Sequence, residues 1–208
     1  MMRFGPEDQA ALDRILRWRR DVRHFRDDPI PEPLLEELRA AMELAPSVGN
    51  ARPWRVIRVE SPNLRAAIRA DFLRCNARAA ARYQGRQRQE YDALKLAGLD
   101  RAPVWLAVFT EIAPSEGHGL GRATMPQTLR QSTAMAIHAL WLAARVRNLG
   151  LGMVSILDPA RIGPLLAVPE SWEFSALLCL GWPEFTDDTP LLHRTGWQEN
   201  TAPGWQRC

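Results

Sequence analysis

Three arginines and one aspartate lie close together near the N-terminus, in the run Arg19-Arg20-Asp21-Val22-Arg23. A guanidinium is a planar fork of donors that suits a phosphate or a carbonyl edge better than the ammonium of lysine does. Arginines at alternating positions of an extended segment point to the same side, so the spacing favours a common ligand. A solvated basic turn in an arginine-rich protein is the alternative interpretation.

Two further polar segments interrupt apolar surroundings. The loop over residues 45–54 carries Ser47 and Asn50 among two prolines and a glycine, so it cannot continue a helix and offers backbone donors to a ligand. A plain helix-to-strand connection is its alternative. Ser155 lies in an apolar strand after a glycine turn, where its hydroxyl can bond to a cofactor or only to local backbone. Three polar sites in an otherwise apolar protein fit a phosphate-bearing organic cofactor.

The sequence carries no motif for hydrolysis or metal binding. Its most glycine-rich stretch, residues 117–121, is not led into by an apolar strand, so it is no dinucleotide fingerprint. A phosphate loop, a serine nucleophile elbow and paired histidines at metal spacing are also absent from the sequence. The three cysteines, Cys75, Cys179 and Cys208, are far apart and lack metal-ligand spacing. Hydrolase and metalloenzyme classes therefore have little support.

The composition is that of an ordinary globular protein. The 208 residues include 46% hydrophobic and 25% charged residues, with a net charge of only +3. Acidic residues are interspersed with the arginines, so we expect a local anion site and no nucleic-acid binding. The N-terminus lacks the apolar core of a signal peptide, and no apolar run approaches the length of a membrane span. A cytoplasmic location is the expectation.

Hydrophobic spacing predicts helices in the majority, alternating with strands, which indicates an α/β or α+β fold. The helix after Thr124 is apolar nearly all round, so we expect it at the centre of the domain or across a subunit interface, with His138 as a core residue. The segment from Arg82 to Glu90 is almost wholly polar, typical of a mobile lid or of a solvated helix face. The predicted helices lie near residues 6–18, 31–45, 63–81, 124–150 and 160–166, and the strands near 55–59, 104–109, 150–156 and 174–181. Residues 104–109 are continuously apolar, which predicts a central buried strand.

The order of these motifs resembles that of the flavin-dependent nitroreductase fold family. The matching segments are the arginine run followed by Phe25, the 45–54 loop, and Gly150-Leu151-Gly152 leading to Asp158-Pro159. Within the family the chain is more similar to the BluB branch, the 5,6-dimethylbenzimidazole synthases. The marks of that branch are Asp21, residues 94–99 before Ala102-Pro103, residues 119–126, and the stretch from Val154 to Pro159. Arg52 departs from the pattern, since related loops often hold glutamine there.

The resemblance implies an α+β sandwich, with a central mixed sheet flanked by helices, in an intertwined homodimer with FMN bound across the interface. It also implies a lid around 82–99. We expect one domain over residues 1–208, with a C-terminal tail from about 184. The tail carries Trp197 and Trp205 without helical or strand regularity, so we expect it to pack on another surface, with a second subunit as one candidate. The implied reaction consumes reduced FMN and molecular oxygen and yields 5,6-dimethylbenzimidazole, with a flavin reductase supplying the reduced FMN. An NAD(P)H-dependent FMN nitroreductase or flavin reductase is the alternative, and a non-catalytic flavin carrier a third.

The resemblance also assigns roles to individual residues. Asp21 would move protons during fragmentation, and Ser155 would steer the oxygen chemistry near the central ring. Ser47 and Asn50 would reach the flavin from the partner subunit. The arginines of the run would bind the phosphate and the polar edge of the flavin. The full set implied to bind FMN is Arg19, Arg20, Asp21, Val22, Arg23, Ser47, Asn50, Lys95, Ser155 and Arg194.

Overall fold

A four-stranded antiparallel sheet forms the centre of the computed structural model, which describes residues 2–94 and 98–207. The strands are β1 (Trp54–Arg58), β2 (Val104–Glu111), β3 (Gly150–Val154) and β4 (Trp172–Gly181), in the spatial order β1-β2-β4-β3. The register pairs Val56 with Val108 and Leu151 with Leu180. Among residues 2–94 and 98–207, the one parallel pairing is the isolated bridge between Asp21 and Leu151 at the outer edge of β3, so the four strands form an antiparallel sheet where a mixed one was predicted. That edge is where the N-terminal arginine run meets the sheet.

Helices cover both faces of this sheet, so the α+β prediction is confirmed. Local sequence sets their ends: Pro6 begins the first helix with Glu7 and Asp8 in its first turn, and the Ser61 hydroxyl accepts from the Leu64 amide at the start of the third. The helices are α1 (Pro6–Trp18), α2 (Glu32–Met42), α3 (Pro62–Ala80), α4 (Gly85–Ala93), α5 (Thr128–Val146), α6 (Pro159–Leu165) and α7 (Leu191–Arg194), with short 3₁₀ turns at Val48–Asn50 and Glu116–Gly119.

Two hydrophobic layers hold the helices to the sheet, and β2 contributes alternately to both. Val104 and Val108 face the layer formed with α2 and α5, whereas Trp105, Ala107 and Phe109 face the layer formed with α3 and α6. Alternation of this kind follows from the two-residue period of a strand. The continuous apolar run of β2 is buried on both faces, as predicted for a central strand.

The two glycines of β3 allow the arginine run to lie directly on the edge of the sheet. A Cβ atom added at Gly152 would come within 2.1 Å of the Val22 carbonyl oxygen, and one at Gly150 within 2.8 Å of the Val22 side chain. The Val22 amide donates to the Leu151 carbonyl at 3.1 Å. The two glycines of the Gly150-Leu151-Gly152 motif are therefore needed for the backbone of the arginine run to approach β3 closely.

Two predictions outside the core had different outcomes. The expectation that His138 is a core residue is wrong, because His138 is exposed on the outer face of α5. In the tail, Trp197 is half-buried against Tyr83 and Tyr91, with ring centroids 5.4 and 6.2 Å away, whereas Trp205 is fully exposed. One tail tryptophan therefore packs on the protomer, and the other stays exposed.

Candidate functional site

Asp21 is fixed by two hydrogen bonds at the edge of β3. Its Oδ1 accepts from the Met153 amide at 2.8 Å, and its Oδ2 accepts from Arg23 Nε at 2.8 Å. The Asp21 and Arg23 side chains keep 30% and 19% of their surface exposed, so both remain accessible to a ligand. A charge-assisted pair anchored to a strand amide is a rigid arrangement. The aspartate of the run is therefore held in place by the sheet.

Ser155 lies on the same wall as Asp21, one residue beyond the end of β3. A cleft of about 90 Å³, partly open to solvent, brings the two residues together, and we call it the aspartate cleft. The Ser155 hydroxyl is exposed and makes no hydrogen bond within residues 2–94 and 98–207. It is thus available to a ligand. The aspartate cleft is lined by Asp21, Val22, Arg23, Phe72, Gly98, Gly152, Met153, Val154, Ser155 and Ile156.

A second cleft, of about 130 Å³, lies on the other side of the arginine run, and we call it the arginine cleft. Four guanidiniums line it: Arg20, Arg23, Arg145 and Arg194. Each has a partner: Arg20 Nε donates to the Asp188 carbonyl at 2.8 Å, Arg23 and Arg194 are paired with the carboxylates of Asp21 and Asp187, and Arg145 Nη2 donates to Asn148 Oδ1 at 3.2 Å. Asp21, Val22 and Arg23 line both clefts, so the two clefts are adjacent.

Positive charge in this region is incompletely compensated. Burial, together with the neighbouring charge of Arg20, lowers the pKa of Arg19, although Asp21 opposes the shift. The Arg19 guanidinium stacks 4.8 Å above the Trp141 ring and does not line the arginine cleft. Burial alone lowers the pKa of Arg145. A partly desolvated guanidinium is stabilised by an anion, so the cleft is suited to a phosphate.

Ser47 and Asn50 line neither the aspartate cleft nor the arginine cleft of the protomer. The Ser47 hydroxyl accepts from the Arg52 amide at 3.1 Å, which closes the loop on itself, and Arg52 reaches back to Glu43 at 3.4 Å. Asn50 is exposed in a left-handed conformation with φ 55°. The loop therefore presents both side chains away from the site of its own protomer. Lys95 lies outside the described residues.

Two sets of functional candidates were missed by the sequence analysis. Arg145 belongs to the last turn of α5, where it resembled any other surface arginine. The other set is a charged cluster behind the Ser155 wall, in which Asp71 is buried against Arg74 and Arg161. The only sequence signal for it was Asp158-Pro159, a typical helix start that by itself says nothing about Asp71. Both sets depend on contacts between residues distant along the chain.

The nitroreductase family model matches residues 16–182, which include the arginine run, the whole sheet and Ser155. The chain belongs to the nitroreductase family. Two curated relatives in this family are named 5,6-dimethylbenzimidazole synthase. The one from Rhodobacter capsulatus is 62% identical over 206 residues, covering 99% of this chain and 100% of the relative. The one from Rhodospirillum rubrum is 52% identical over 195 residues, covering 94% and 92%.

A solved structure with bound FMN agrees with the fold. Oxidised iodotyrosine deiodinase bound to FMN and 3-iodo-L-tyrosine matches with a TM-score of 0.71 and 26% identity, covering 85% of this chain and 91% of that chain. The predicted nitroreductase-like fold is thereby confirmed. None of the helices in residues 2–94 and 98–207 is long and apolar enough to cross a membrane.

Proposed function

We propose that the chain binds FMN across the two clefts, with the phosphate in the arginine cleft and the ring system in the aspartate cleft. The residues present fit such a ligand. Arg20, Arg23, Arg145 and Arg194 supply cationic donors for a dianion. The end of β3 and Phe72 supply a wall of backbone and apolar groups for a flat heteroaromatic ring.

We further propose that the chain is a 5,6-dimethylbenzimidazole synthase, which fragments reduced FMN with molecular oxygen. The observation that carries this proposal is the 62% identity, over nearly the full length of both chains, to a relative of that name. Reduced FMN supplies the electrons for oxygen and is itself the substrate. The chain contributes Asp21 as a carboxylate that takes and returns protons at the bound ring, and Ser155 as a hydroxyl that donates or accepts one hydrogen bond there.

An FMN nitroreductase or flavin reductase on the same fold is the second candidate. That activity needs an open pocket for a nicotinamide above the flavin, whereas fragmentation needs the flavin ring to be enclosed. We propose that the segment around 82–99 is the lid that encloses it. Its helix α4 is a solvated helix in this structure, with ion pairs between Arg86 and Glu90 and between Arg88 and Asp92. Enclosure would keep water from the reacting ring.

We also propose that the protein acts as a homodimer and that the partner completes the site. Helix α1 has no buried residue, and its Leu12 and Leu16 remain 49% and 41% exposed. On α5, Met135 and Val146 are 42% and 54% exposed. Apolar helix faces of this extent are typical of subunit interfaces. In the dimer, Ser47 and Asn50 would contact the flavin of the other subunit. A single domain, a cytoplasmic location and a separate flavin reductase stay predictions.

The deciding experiment mixes purified protein with photoreduced FMN, admits air, and follows flavin and products by absorbance and mass. Loss of flavin with appearance of 5,6-dimethylbenzimidazole supports the proposal. Quantitative return of intact oxidised FMN contradicts it, and turnover of NAD(P)H with nitroaromatic compounds would then support the second candidate. Asp21→Asn and Ser155→Ala are the matched variants, in which we expect the fold and FMN binding to stay largely intact while product formation is suppressed.

A further inference from the structure

Asp71 is a buried carboxylate that the proposed reaction does not use. It lies on the inner face of α3 with 4% of its surface exposed, next to Phe72, which lines the aspartate cleft. Burying a carboxylate is costly unless charges and donors surround it. Arg74 Nη2 donates to Asp71 Oδ1 at 2.6 Å, and Arg161 Nε lies 3.1 Å from the same oxygen. The guanidiniums of Arg74 and Arg161 therefore stabilise the buried Asp71 carboxylate.

The second oxygen of Asp71 holds the turn that follows Ser155. Asp71 Oδ2 accepts from the Asp158 amide at 2.8 Å. The Asp158 carboxylate accepts from Arg74 Nη2 at 3.0 Å through Oδ2 and from the Ala160 amide at 3.2 Å through Oδ1, where it caps α6. Asp71, Arg74 and Asp158 thus tie α3, the turn and α6 together. We call these three residues and Arg161 the clamp.

Asp158 of the clamp lies three residues after Ser155, on the same turn. Ser155 and Ile156 line the aspartate cleft, and Leu157 packs into the apolar layer with Phe72. Because no hydrogen bond within the described residues fixes the Ser155 hydroxyl, its position depends on the backbone of the turn. That backbone is anchored on one side by β3 and on the other by the clamp.

We propose that Asp71 is a positioning residue, which acts through the Asp158 amide to place Ser155 in the aspartate cleft. The proposal rests on the proposed function for the role of Ser155, but not for the contact itself. Asp71→Asn removes the charge that balances Arg74 and Arg161 and weakens the acceptor for the Asp158 amide. The turn should then sample positions that move Ser155 away from the ligand.

The test compares Asp71→Asn with Asp100→Asn, a matched control whose carboxylate forms an exposed pair with Arg69 of the same helix. Backbone hydrogen exchange over residues 155–158 is measured without flavin. We expect Asp71→Asn to speed exchange of the Asp158 amide at least tenfold and Asp100→Asn to change it less than twofold. Arg74→Gln, at a half-exposed side chain, serves if Asp71→Asn does not fold, and we expect exchange to speed there too.

Turnover supplies the second part of the test. In Asp71→Asn, product formation from reduced FMN should fall about tenfold, with the Kd for FMN within twofold of wild type. When Asp71→Asn is added to Ser155→Ala, product formation should fall by less than twofold relative to Ser155→Ala alone. Equal reductions in both backgrounds, or unchanged exchange at residues 155–158, would overturn the proposal. If the wild-type protein forms no product, the proposed function fails, and the exchange measurement still decides whether Asp71 holds the turn.

Discussion

Gly152→Ala tests the claim that close backbone approach at β3 builds the site. The added methyl group would lie 2.1 Å from the Val22 carbonyl oxygen, and non-bonded heavy atoms pack at roughly 3.5 Å. The carbonyl belongs to the backbone and cannot rotate away as a side chain can. We therefore expect the arginine run to move off the sheet edge by about 1 Å or more.

The cost follows from the bonds that tie the run to β3. The Val22 amide donates to the Leu151 carbonyl, and the Met153 amide donates to the Asp21 carboxylate. A neutral hydrogen bond contributes about 1 kcal/mol to stability and one to a charged group about 1.5–3 kcal/mol. Losing both lowers the free energy of unfolding by about 3 kcal/mol, which a domain stable by about 5–15 kcal/mol survives. FMN binding suffers more than folding, since Asp21 and Arg23 both leave their places.

Urea unfolding and a fluorescence titration with oxidised FMN measure the two effects. Gly163→Ala is the control, because its Cβ would meet only the Val168 side chain, at 3.7 Å, and alanine favours the helix. Gly150→Ala should fall between the two, since there the three nearest atoms all belong to the Val22 side chain, with its methyl carbons at 2.8 Å and its Cβ at 2.9 Å, and not to the backbone. A Gly152→Ala protein within 0.5 kcal/mol of wild type and with unchanged Kd for FMN would refute the close-approach reasoning.

Three other perturbations test the site and its surroundings. Arg145→Ala should weaken FMN binding by about 1.5–3 kcal/mol in a titration, while Arg147→Ala, whose guanidinium pairs with a carboxylate of α2, should not. Trp197→Ala should expose α4 to trypsin sooner, whereas Trp205→Ala should leave the digestion rate unchanged. Burial raises the pKa of Asp71, but the Asp158 amide, Arg74 and Arg161 outweigh it, so the net shift is downward. A lowered pKa gives stability that is present above about pH 4 and lost as the pH falls through the folded-state value. Urea unfolding from pH 6 to pH 3 should show that loss in wild type and a smaller one in Asp71→Asn, and equal slopes would contradict it.

The regular elements were predictable where a single period dominates. The bounds Pro6–Trp18 of α1 were predictable because a proline followed by acidic residues marks a helix start in the local sequence. The apolar run of β2 was predictable as the central strand because a strand buried on both faces is continuously apolar. Prediction was poorer for the surroundings of α5. His138 lies on its outer face, and a helix that is apolar nearly all round does not say which side meets the protomer core.

The candidate site was predictable in its residue types and not in its geometry. The arginine run, Ser155 and the glycine turn stand out because polar or glycine residues interrupt apolar sequence. Arg145 and Asp71 do not stand out, since each acts through residues far along the chain. Asp71, for example, accepts a hydrogen bond from the backbone amide of Asp158, which lies 87 positions further along the chain. Contacts of that separation depend on the packing of α3 on α6, which no local period encodes.

The two clefts share a single short segment, and this has a consequence for how the site can work. Residues Asp21 to Arg23 line both clefts, and the Asp21 carboxylate joins Arg23 to the Met153 amide. A phosphate that draws Arg23 toward the arginine cleft therefore acts on the same bond that holds Asp21 in the aspartate cleft. Binding energy from the non-reacting end of the ligand can in this way set the position of the group beside its reacting end. A flavin without its phosphate should then lose turnover as well as affinity.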